Sequence, residues 1–319
     1  MQHKILDYLK RHPSVYVSGE DLSGYLKVSR QALWKHIQEL KDSGYEIEAV
    51  PHLGYKLVAS PDRLFASEIS RGLHTKFIAK KIYYFDSIGS TMDMAQDLGL
   101  KRAAEGTLVI AEGQSKGRGR MGRQWASAKH KGIYLSLILR PNILPGASAI
   151  LTLLAAVSVC EAIKKATGLE SKIKWPNDIF IRDKKLGGIL TELNAEADAI
   201  RFVVIGIGLN INQDKKLLPA GATSIKEEKG QNANRVELLQ EILRCLESNY
   251  LHFQNKGAKL IADKWREYNL TLNRRVKIIA SHTHLEGQAV DIDSDGALLL
   301  RKDSGIIQKV TSGDVVHCR

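Results

Sequence analysis

The sequence predicts an α+β multidomain chain, and three observations indicate this fold class. Its 319 residues exceed what one hydrophobic core usually holds, and its 44% apolar residues suffice for several cores. Helix patterns dominate residues 1–60, helix and strand patterns mix through residues 63–270, and short strand-like runs fill residues 271–319. We therefore expect three domains with these boundaries.

The N-terminal domain is predicted to contain three short helices. Ile5, Leu6 and Leu9 would give the first helix one apolar face. Residues 18–21 form a capping box for a second helix, and Ser29 is placed to cap a third. The first helix is therefore predicted from its apolar face, and the second and third are predicted from their N-terminal caps.

The third helix is expected to be the recognition helix that contacts DNA. Leu33, Ile37 and Leu40 recur at i, i+4 and i+7, which marks one buried face. Residues 45–50 and 55–58 then predict a hairpin, so the domain is typical of a winged helix-turn-helix. The expected DNA contacts lie on the outward side of the third helix and are Ser29, Arg30, Gln31, Trp34 and Lys35.

The charge of the chain supports nucleic-acid binding only in part. Lys and Arg outnumber Asp and Glu by 47 to 35, giving a net charge of +12. Residues 1–60 nevertheless carry eight basic and seven acidic side chains, whereas residues 112–131 carry six basic residues and one acid. Much of the excess belongs to the central domain, and a small protein-interaction domain stays an alternative for residues 1–60.

Residues 114–125 predict an anion-binding loop, because three glycines alternate with three arginines. The glycines can adopt positive φ and let backbone N–H groups approach a ligand. The arginines supply planar guanidinium groups that suit carboxylate and phosphate oxygens. These residues are Gly117, Gly119, Gly122, Arg118, Arg120 and Arg123.

Two other interpretations apply to this loop. It spells G-x-G-x-x-G, the dinucleotide-binding pattern, but no helix pattern follows it. About 20 residues further on, Arg140 and Asn142 stand where that pattern requires an acid. A solvated, flexible basic loop is the remaining alternative.

Two further segments favour a ligand site. Residues 174–178 read Lys-Trp-Pro-Asn-Asp, and residues 185–190 read Lys-Leu-Gly-Gly-Ile-Leu. Residues 203–212 are strand-like but contain Gly206 and Gly208, and glycine inside a strand indicates close approach of a ligand or backbone. Each segment alone also fits an ordinary packed strand and turn.

Together the three segments resemble the biotin-protein ligase family, whose members carry the arginine-glycine loop, the Lys-Trp-Pro-Asn-Asp strand end and the following lysine in this order. The match covers about residues 85–212, and the flanking domains fit the branch that also represses the biotin operon. The resemblance implies a central domain with the fold of class II aminoacyl-tRNA synthetases. It also implies ATP-dependent activation of biotin and its transfer to the biotin carboxyl carrier protein of acetyl-CoA carboxylase.

The resemblance also implies which residues form the site. The expected catalytic residues are Lys185, Arg118 and Arg120. The expected biotin contacts are Ser90, Thr91, Gln114, Gly117, Arg118, Gly119, Arg120, Lys185 and Gly206. The expected ATP contacts are Arg118, Arg120, Arg123, Lys174, Asn177, Asp178, Lys185 and Asn210. No metal bound by the protein alone is expected; Mg²⁺ would arrive with ATP, near Asp178.

The first helix of the central domain is expected to begin at Ser90. Residues 90–93 form a capping box, so Ser90 and Thr91 also fit simple helix caps. Related ligases have Ser-Thr-Asn here, and Met92 departs from that pattern.

Cellular location is inferred from cysteine and apolar patterns. Cys160, Cys245 and Cys318 are scattered and odd in number, which argues against a disulfide framework and favours a reducing cytoplasm. Residues 1–13 lack the apolar segment of a signal peptide. The apolar residues 147–160 are interrupted by polar side chains and predict a buried helix instead of a membrane span.

The C-terminal domain is predicted to be a small SH3-like β-barrel. Strand-like runs at 276–280, 288–292, 297–300 and 306–310 alternate with turns. Residues 291–296 imitate the start of a calcium-binding loop. Lys302 stands at the twelfth position instead of glutamate, so a hairpin turn is expected there.

The sequence leaves two alternative functions open and indicates one assembly. A lipoate ligase on a related fold and a repressor that senses biotin without catalysis are the alternatives. The expected partners are the carrier protein, operator DNA and a second copy of the chain. Biotinyl-AMP is expected to favour this homodimer through a sheet edge near residues 189–194.

Overall fold

The computed structural model describes residues 1–196, 198–280 and 283–317; Cys318 lies outside them. The chain divides into two compact units, Met1–Arg63 and Leu64–Arg319. The division falls near the end of the predicted N-terminal domain. The predicted central and C-terminal domains both belong to the second unit.

The first unit contains the predicted helices and hairpin. Ser18 Oγ accepts hydrogen bonds from the backbone N–H of Glu20 and Asp21, and Ser29 Oγ accepts one from Ala32. These N-caps satisfy backbone donors that the first turn of a helix leaves unpaired. The elements are α1 Gln2–Arg11, α2 Gly19–Leu26, α3 Arg30–Asp42, β1 Glu46–Val50 and β2 Gly54–Ala59.

The core of the first unit follows the predicted helix faces. Ile5, Leu6 and Leu9 of α1 are at most 2% exposed, and Leu33, Ile37 and Leu40 of α3 are at most 1% exposed. Since α1 and α3 bury one side each, the outward side of α3 is left to solvent.

The second unit is built on a seven-stranded sheet with the order β3-β4-β5-β9-β8-β7-β6. β3 and β4 are parallel, and the other neighbouring strands are antiparallel. The strands are β3 Ile82–Phe85, β4 Leu108–Ala111, β5 Gly132–Leu139, β6 Lys172–Lys174, β7 Asp178–Ile181, β8 Lys184–Ala195 and β9 Ile200–Asn210.

Helices cover the two faces of this sheet. The predicted buried helix is confirmed as α6, and it is the one described helix that is long and apolar enough to cross a membrane; 67% of its most apolar window is buried inside the protein. A short helix precedes Ser90, so the expectation that the first helix begins there was wrong. The helices are α4 Ala66–Ser70, α5 Thr91–Leu100, α6 Ala149–Thr167, α7 Ile225–Lys229, α8 Arg235–Lys256 and α9 Lys259–Tyr268.

Strand alternation decides which residues face α5. Met92 of α5 packs with Val204 of β9 in one apolar cluster. Because side chains alternate along a strand, Gly206, Gly208 and Asn210 share the face of Val204. The sheet face under α5 is therefore the face that carries the glycine pair.

The C-terminal strands form a five-stranded antiparallel sheet with the order β13-β12-β11-β10-β14. The predicted hairpin turn is confirmed, since Asp293 accepts hydrogen bonds from the N–H groups of Asp295 and Ala297 between β11 and β12. Trp175 joins this sheet to the central one, because its Nε1 donates to Gly296 O at 3.1 Å. The strands are β10 Arg275–Ala280, β11 Thr283–Ile292, β12 Leu298–Arg301, β13 Ile307–Val310 and β14 Asp314–His317.

Candidate functional site

A cavity of about 320 Å³ opens on the α5 face of the seven-stranded sheet. Its floor contains Gly206 and Gly208. A Cβ on Gly206 would meet Met92 Sδ at 2.5 Å, and a Cβ on Gly208 would meet Trp125 Nε1 at 2.6 Å. The glycines therefore leave room for two large side chains, which form walls of the cavity.

One end of the cavity is a hydrogen-bonded polar network. Gln114 Oε1 accepts from the Thr91 N–H at 2.8 Å and from Thr91 Oγ1 at 3.0 Å. Gln114 Nε2 donates to Ser127 Oγ at 2.9 Å, and Ser136 Oγ donates to Thr91 Oγ1 at 2.9 Å. Because the Thr91 N–H can only donate, the orientation of the Gln114 amide is fixed.

Ser90 does not line this cavity. It is 3% exposed, and its Oγ accepts from the Asp93 N–H at 3.4 Å as the N-cap of α5. The structure thus gives Ser90 the helix-cap role that the sequence left open.

The arginine-glycine loop differs from prediction in its backbone. Of its three glycines, only Gly122 has positive φ, at 72°, and Met121 has φ of 55°. A Cβ on Gly117 would lie 2.5 Å from Trp125 O, and one on Gly119 would lie 3.3 Å from Arg123 O. Gly117 and Gly119 therefore do not use the positive φ that glycine permits; a side chain at Gly117 would clash with the backbone of Trp125, and one at Gly119 would lie tightly against the backbone of Arg123.

The loop arginines are held by carboxylates. Arg118 pairs with Asp93 of α5 at 3.0 Å and with Glu192 of β8 at 2.7 Å. Arg123 pairs with Asp314 at the start of β14. These ion pairs hold the cationic groups at the cavity.

Arg120 is the most enclosed of the three guanidinium groups, with a side chain 21% exposed. It donates to Asn177 Oδ1 at 3.2 Å and to Gly313 O at 3.4 Å, and it lies 3.6 Å from Asp314. Burial lowers the pKa of Arg120, and the nearby Asp178 opposes that effect. A guanidinium group stays charged under these conditions, so Arg120 is a preorganised cation.

Lys185 is a second preorganised cation. Its Nζ lies 2.6 Å from Asp178 Oδ1 and 5.7 Å from the centre of the Trp125 ring. Lys174 is near but does not line the cavity; its Nζ lies 5.6 Å from the centre of the Phe180 ring. Burial lowers the pKa of Lys174, against the attraction of Asp178.

Two asparagines lie at the cavity with their amides engaged. Asn177 Nδ2 donates to Ile189 O at 2.7 Å while its Oδ1 accepts from Arg120. Asn210 Nδ2 donates to Thr223 O at 3.1 Å. Each amide still has one N–H and acceptor capacity for a ligand.

The structure brings most of the predicted site residues together. Three lie outside the cavity lining, namely Ser90, Gly117 and Lys174. The others line it and are Thr91, Gln114, Arg118, Gly119, Arg120, Arg123, Asn177, Asp178, Lys185, Gly206 and Asn210.

Trp125 and Asp314 are two of the lining residues that sequence reasoning missed. Trp125 ends the loop motif, and its position there was a usable signal. Asp314 stands almost 200 residues after the loop, so nothing in the local pattern connects it with Arg120 or Arg123. Among the described residues, no three His, Cys, Asp or Glu side chains are grouped to hold a metal ion.

The predicted DNA contacts lie on the outward side of α3 in the first unit. Arg30 pairs with Glu20 at 2.8 Å, and both side chains are more than 70% exposed. Trp34 is 57% exposed, and Gln31 and Lys35 are exposed as well. Ser29 is the N-cap of the helix.

Three protein-family models match the chain. They are an HTH domain over residues 2–56, the biotin/lipoate A/B protein ligase family over residues 84–210, and the biotin protein ligase C terminal domain over residues 271–318.

Whole-chain relatives and a solved structure agree with these matches. The bifunctional ligase/repressor BirA of Bacillus spizizenii is 41% identical over 319 residues, covering 99% of this chain and 98% of the relative. The protein of the same name from Escherichia coli is 33% identical and covers 93% of this chain and 92% of the relative. The structure of biotin protein ligase from Aquifex aeolicus in complex with biotin and ATP aligns with a TM-score of 0.64 and 30% identity, covering 75% of this chain and 99% of that one.

Proposed function

We propose that this chain, which belongs to the family of bifunctional biotin ligases and repressors, activates biotin with ATP and transfers it to a lysine of the biotin carboxyl carrier protein. One observation carries the proposal. Three segments far apart in sequence, which contain Arg120, Lys185 and Asn210, meet in one cavity that is polar at one end and cationic at the other. The same chain carries a helix-turn-helix unit, which supports a second role as a repressor.

The first reaction joins two anions. A biotin carboxylate oxygen attacks the α-phosphorus of ATP, the bond to the β-phosphate oxygen breaks, and pyrophosphate leaves. We assign Arg118, Arg120 and Lys185 to stabilise the negative charge on the oxygens of the α-phosphate in the transition state. Because ion pairs fix these cations beforehand, they need little rearrangement during the reaction. A charge-assisted contact contributes about 1.5 to 3 kcal/mol, so two or three supply several powers of ten in rate.

The other contacts orient the two substrates. We assign the biotin head to the network of Thr91 and Gln114, with Gly206 below it. Asn177 and Asn210 are assigned to the nucleotide. In the second reaction a neutral carrier lysine attacks the carbonyl carbon of the mixed anhydride, and AMP leaves.

Mg²⁺ is proposed to accompany ATP. Mg²⁺ is usually held by one or two carboxylates together with substrate phosphates. Asp178 and Asp314 both line the cavity and fit that requirement. Bound there, the ion would neutralise charge on the phosphates.

Four proposals concern architecture and location. The largely antiparallel central sheet with flanking helices supports a relationship to class II aminoacyl-tRNA synthetases, and the five-stranded C-terminal sheet supports an SH3-like barrel. The domain boundaries are proposed at 1–60, 63–270 and 271–319. The proposed location is the cytoplasm.

Pyrophosphate release tests the enzymatic proposal against its alternatives. We expect release that requires both biotin and ATP, with lipoic acid giving much less. Preference for lipoic acid would favour a lipoate-type ligase. A protein that binds biotin but releases no pyrophosphate would be a repressor that senses biotin without catalysis.

The repressor role is proposed to depend on a homodimer formed through β8. β7 pairs only with residues 184–188 of β8, so among the described strands residues 190–195 of β8 pair on the β9 side alone. Leu193 in this part is 41% exposed. A free strand edge can pair with a second copy or with a carrier protein, but not with both at once.

We expect biotinyl-AMP to shift a monomer-dimer equilibrium towards dimer and to raise operator affinity in parallel. We propose that bound ligand further restrains the loop of residues 117–125, which the ion pairs of its arginines already hold, and that this restraint favours the conformation of β8 that pairs with a second copy. Sedimentation and operator titration measure both effects. Added unbiotinylated carrier should reverse them, and indifference of both equilibria to biotinyl-AMP would contradict the coupling.

A further inference from the structure

Behind Asn210, two buried side chains continue a hydrogen-bond chain that the proposed mechanism does not use. Gln213 is 2% exposed and Tyr134 is 1% exposed. Gln213 Nε2 donates to Asn210 Oδ1 at 3.2 Å and to Tyr134 Oη at 3.1 Å. At the two ends, Asn210 Nδ2 donates to Thr223 O and Tyr134 Oη donates to Ala128 O, each at 3.1 Å.

The direction of every bond in this chain is determined by its ends. Both ends are backbone carbonyls, which only accept hydrogen bonds. Thr223 O requires the Nδ2 side of Asn210, so Oδ1 faces Gln213, and Gln213 must present its NH₂ group. Burial raises the pKa of Tyr134, so its phenol keeps the proton that Ala128 O accepts. Turning any one amide would place two acceptors face to face.

Gln213 is held in place independently of the ligand site. Its backbone oxygen accepts from Ser224 Oγ at 2.7 Å, and the preceding Asn212 N–H donates to Lys131 O at 2.6 Å. Its side-chain Oε1 is buried and has no hydrogen-bond partner among the described residues. A buried oxygen without a hydrogen-bond partner destabilises the fold. The contribution of Gln213 therefore comes from the two hydrogen bonds that its NH₂ group donates.

We propose that Gln213, supported by Tyr134, is a positioning residue that locks the Asn210 amide and thereby selects adenine over guanine in the nucleotide. This inference rests on the proposed function, which assigns Asn210 to ATP. Adenine carries an amino donor where guanine carries a carbonyl acceptor. A locked amide presents one donor and acceptor pattern to the base, whereas an amide free to turn would accommodate both.

The test replaces Gln213 with glutamate, which keeps the shape but removes the donors. The carboxylate would face Asn210 Oδ1, so the Asn210 amide would be driven to turn away from Thr223 O. We expect the KM for ATP to rise about tenfold and the preference for ATP over GTP to fall by a similar factor. This is the effect of losing one hydrogen bond between neutral groups. The KM for biotin should change less than about twofold, because the polar network at Gln114 is untouched.

Gln240→Glu is the matched control. Gln240 Nε2 donates to the carbonyl oxygens of Glu68, Ile69 and Arg71 at 3.2, 3.0 and 2.6 Å, and Gln240 does not line the cavity. This variant should lower the unfolding temperature without altering the preference between ATP and GTP. Comparing Gln213→Glu with Gln240→Glu separates misplacement of the Asn210 amide from a general loss of stability.

Two results would overturn the inference. One is an unchanged ATP preference in Gln213→Glu; the other is an equal rise of the KM for biotin and for ATP, which a merely structural role predicts. If the glutamate variant does not fold, Gln213→Met removes the same donors without charge and is expected to reduce the ATP preference in the same direction. Wild-type protein that releases no pyrophosphate with biotin and ATP would instead reject the proposed function together with this inference.

Discussion

Replacing Lys185 with alanine is expected to reduce formation of biotinyl-AMP about a thousandfold or more while the protein stays folded. Lys185 Nζ lines the cavity and lies 2.6 Å from Asp178. The variant loses the cation that we propose contacts the α-phosphate. It also removes the lysine that pairs with the Asp178 carboxylate.

Lys184→Ala is the control for this experiment. Lys184 is the exposed neighbour on the same strand and does not line the cavity. Its variant should release pyrophosphate within about twofold of the wild-type rate, since exposed charges outside a site contribute little. Single-turnover release of pyrophosphate measures both variants, and a near wild-type rate in Lys185→Ala would remove Lys185 from the mechanism.

Deletion of residues 1–62 is expected to abolish operator binding and to preserve substantial ligation. The first unit contains the helix-turn-helix match and its own core, and every residue that lines the cavity belongs to the second unit. Separate cores allow separate functions. Operator titration and carrier biotinylation, measured on the same preparation, test the two halves of this expectation.

The double variant Arg30→Ala/Lys35→Ala in the full chain removes proposed DNA contacts but keeps the first unit. Comparing it with the deletion separates the effect of lost DNA contacts from the effect of removing the whole unit. Loss of phosphate or base contacts should weaken operator binding by at least about tenfold, with ligation unchanged. Loss of ligation after the deletion, but not in this double variant, would show that the first unit supports the second energetically.

Local patterns predicted elements better than they predicted contacts. The caps of α2 and α3, the buried helix α6 and the turn at Asp293 depend on neighbouring residues, so the sequence is sufficient to find them. The family resemblance was confirmed by the relatives, because its motifs are long and occur in a fixed order. The roles of the individual site residues stay predictions.

Long-range packing accounts for what the sequence did not reveal. The sequence suggested that Gly117 and Gly119 serve to adopt positive φ. In the structure neither does, and the backbones of Trp125 and Arg123 lie close to them across the loop. The partners of Arg118 come from α5 and β8, which only the folded sheet brings together. Such contacts have no periodic signal in the chain.

The pairing of Asp314 with Arg120 and Arg123 brings an internal counter-ion from β14 to the cationic end of the cavity. Phosphate groups that enter the cavity must compete with a carboxylate that the chain itself provides. We therefore expect a change at Asp314 to alter how firmly Arg120 and Arg123 are held at the cavity. A carboxylate of the C-terminal sheet thus takes part in the charge balance of a cavity whose other walls come from the central sheet and the arginine-glycine loop.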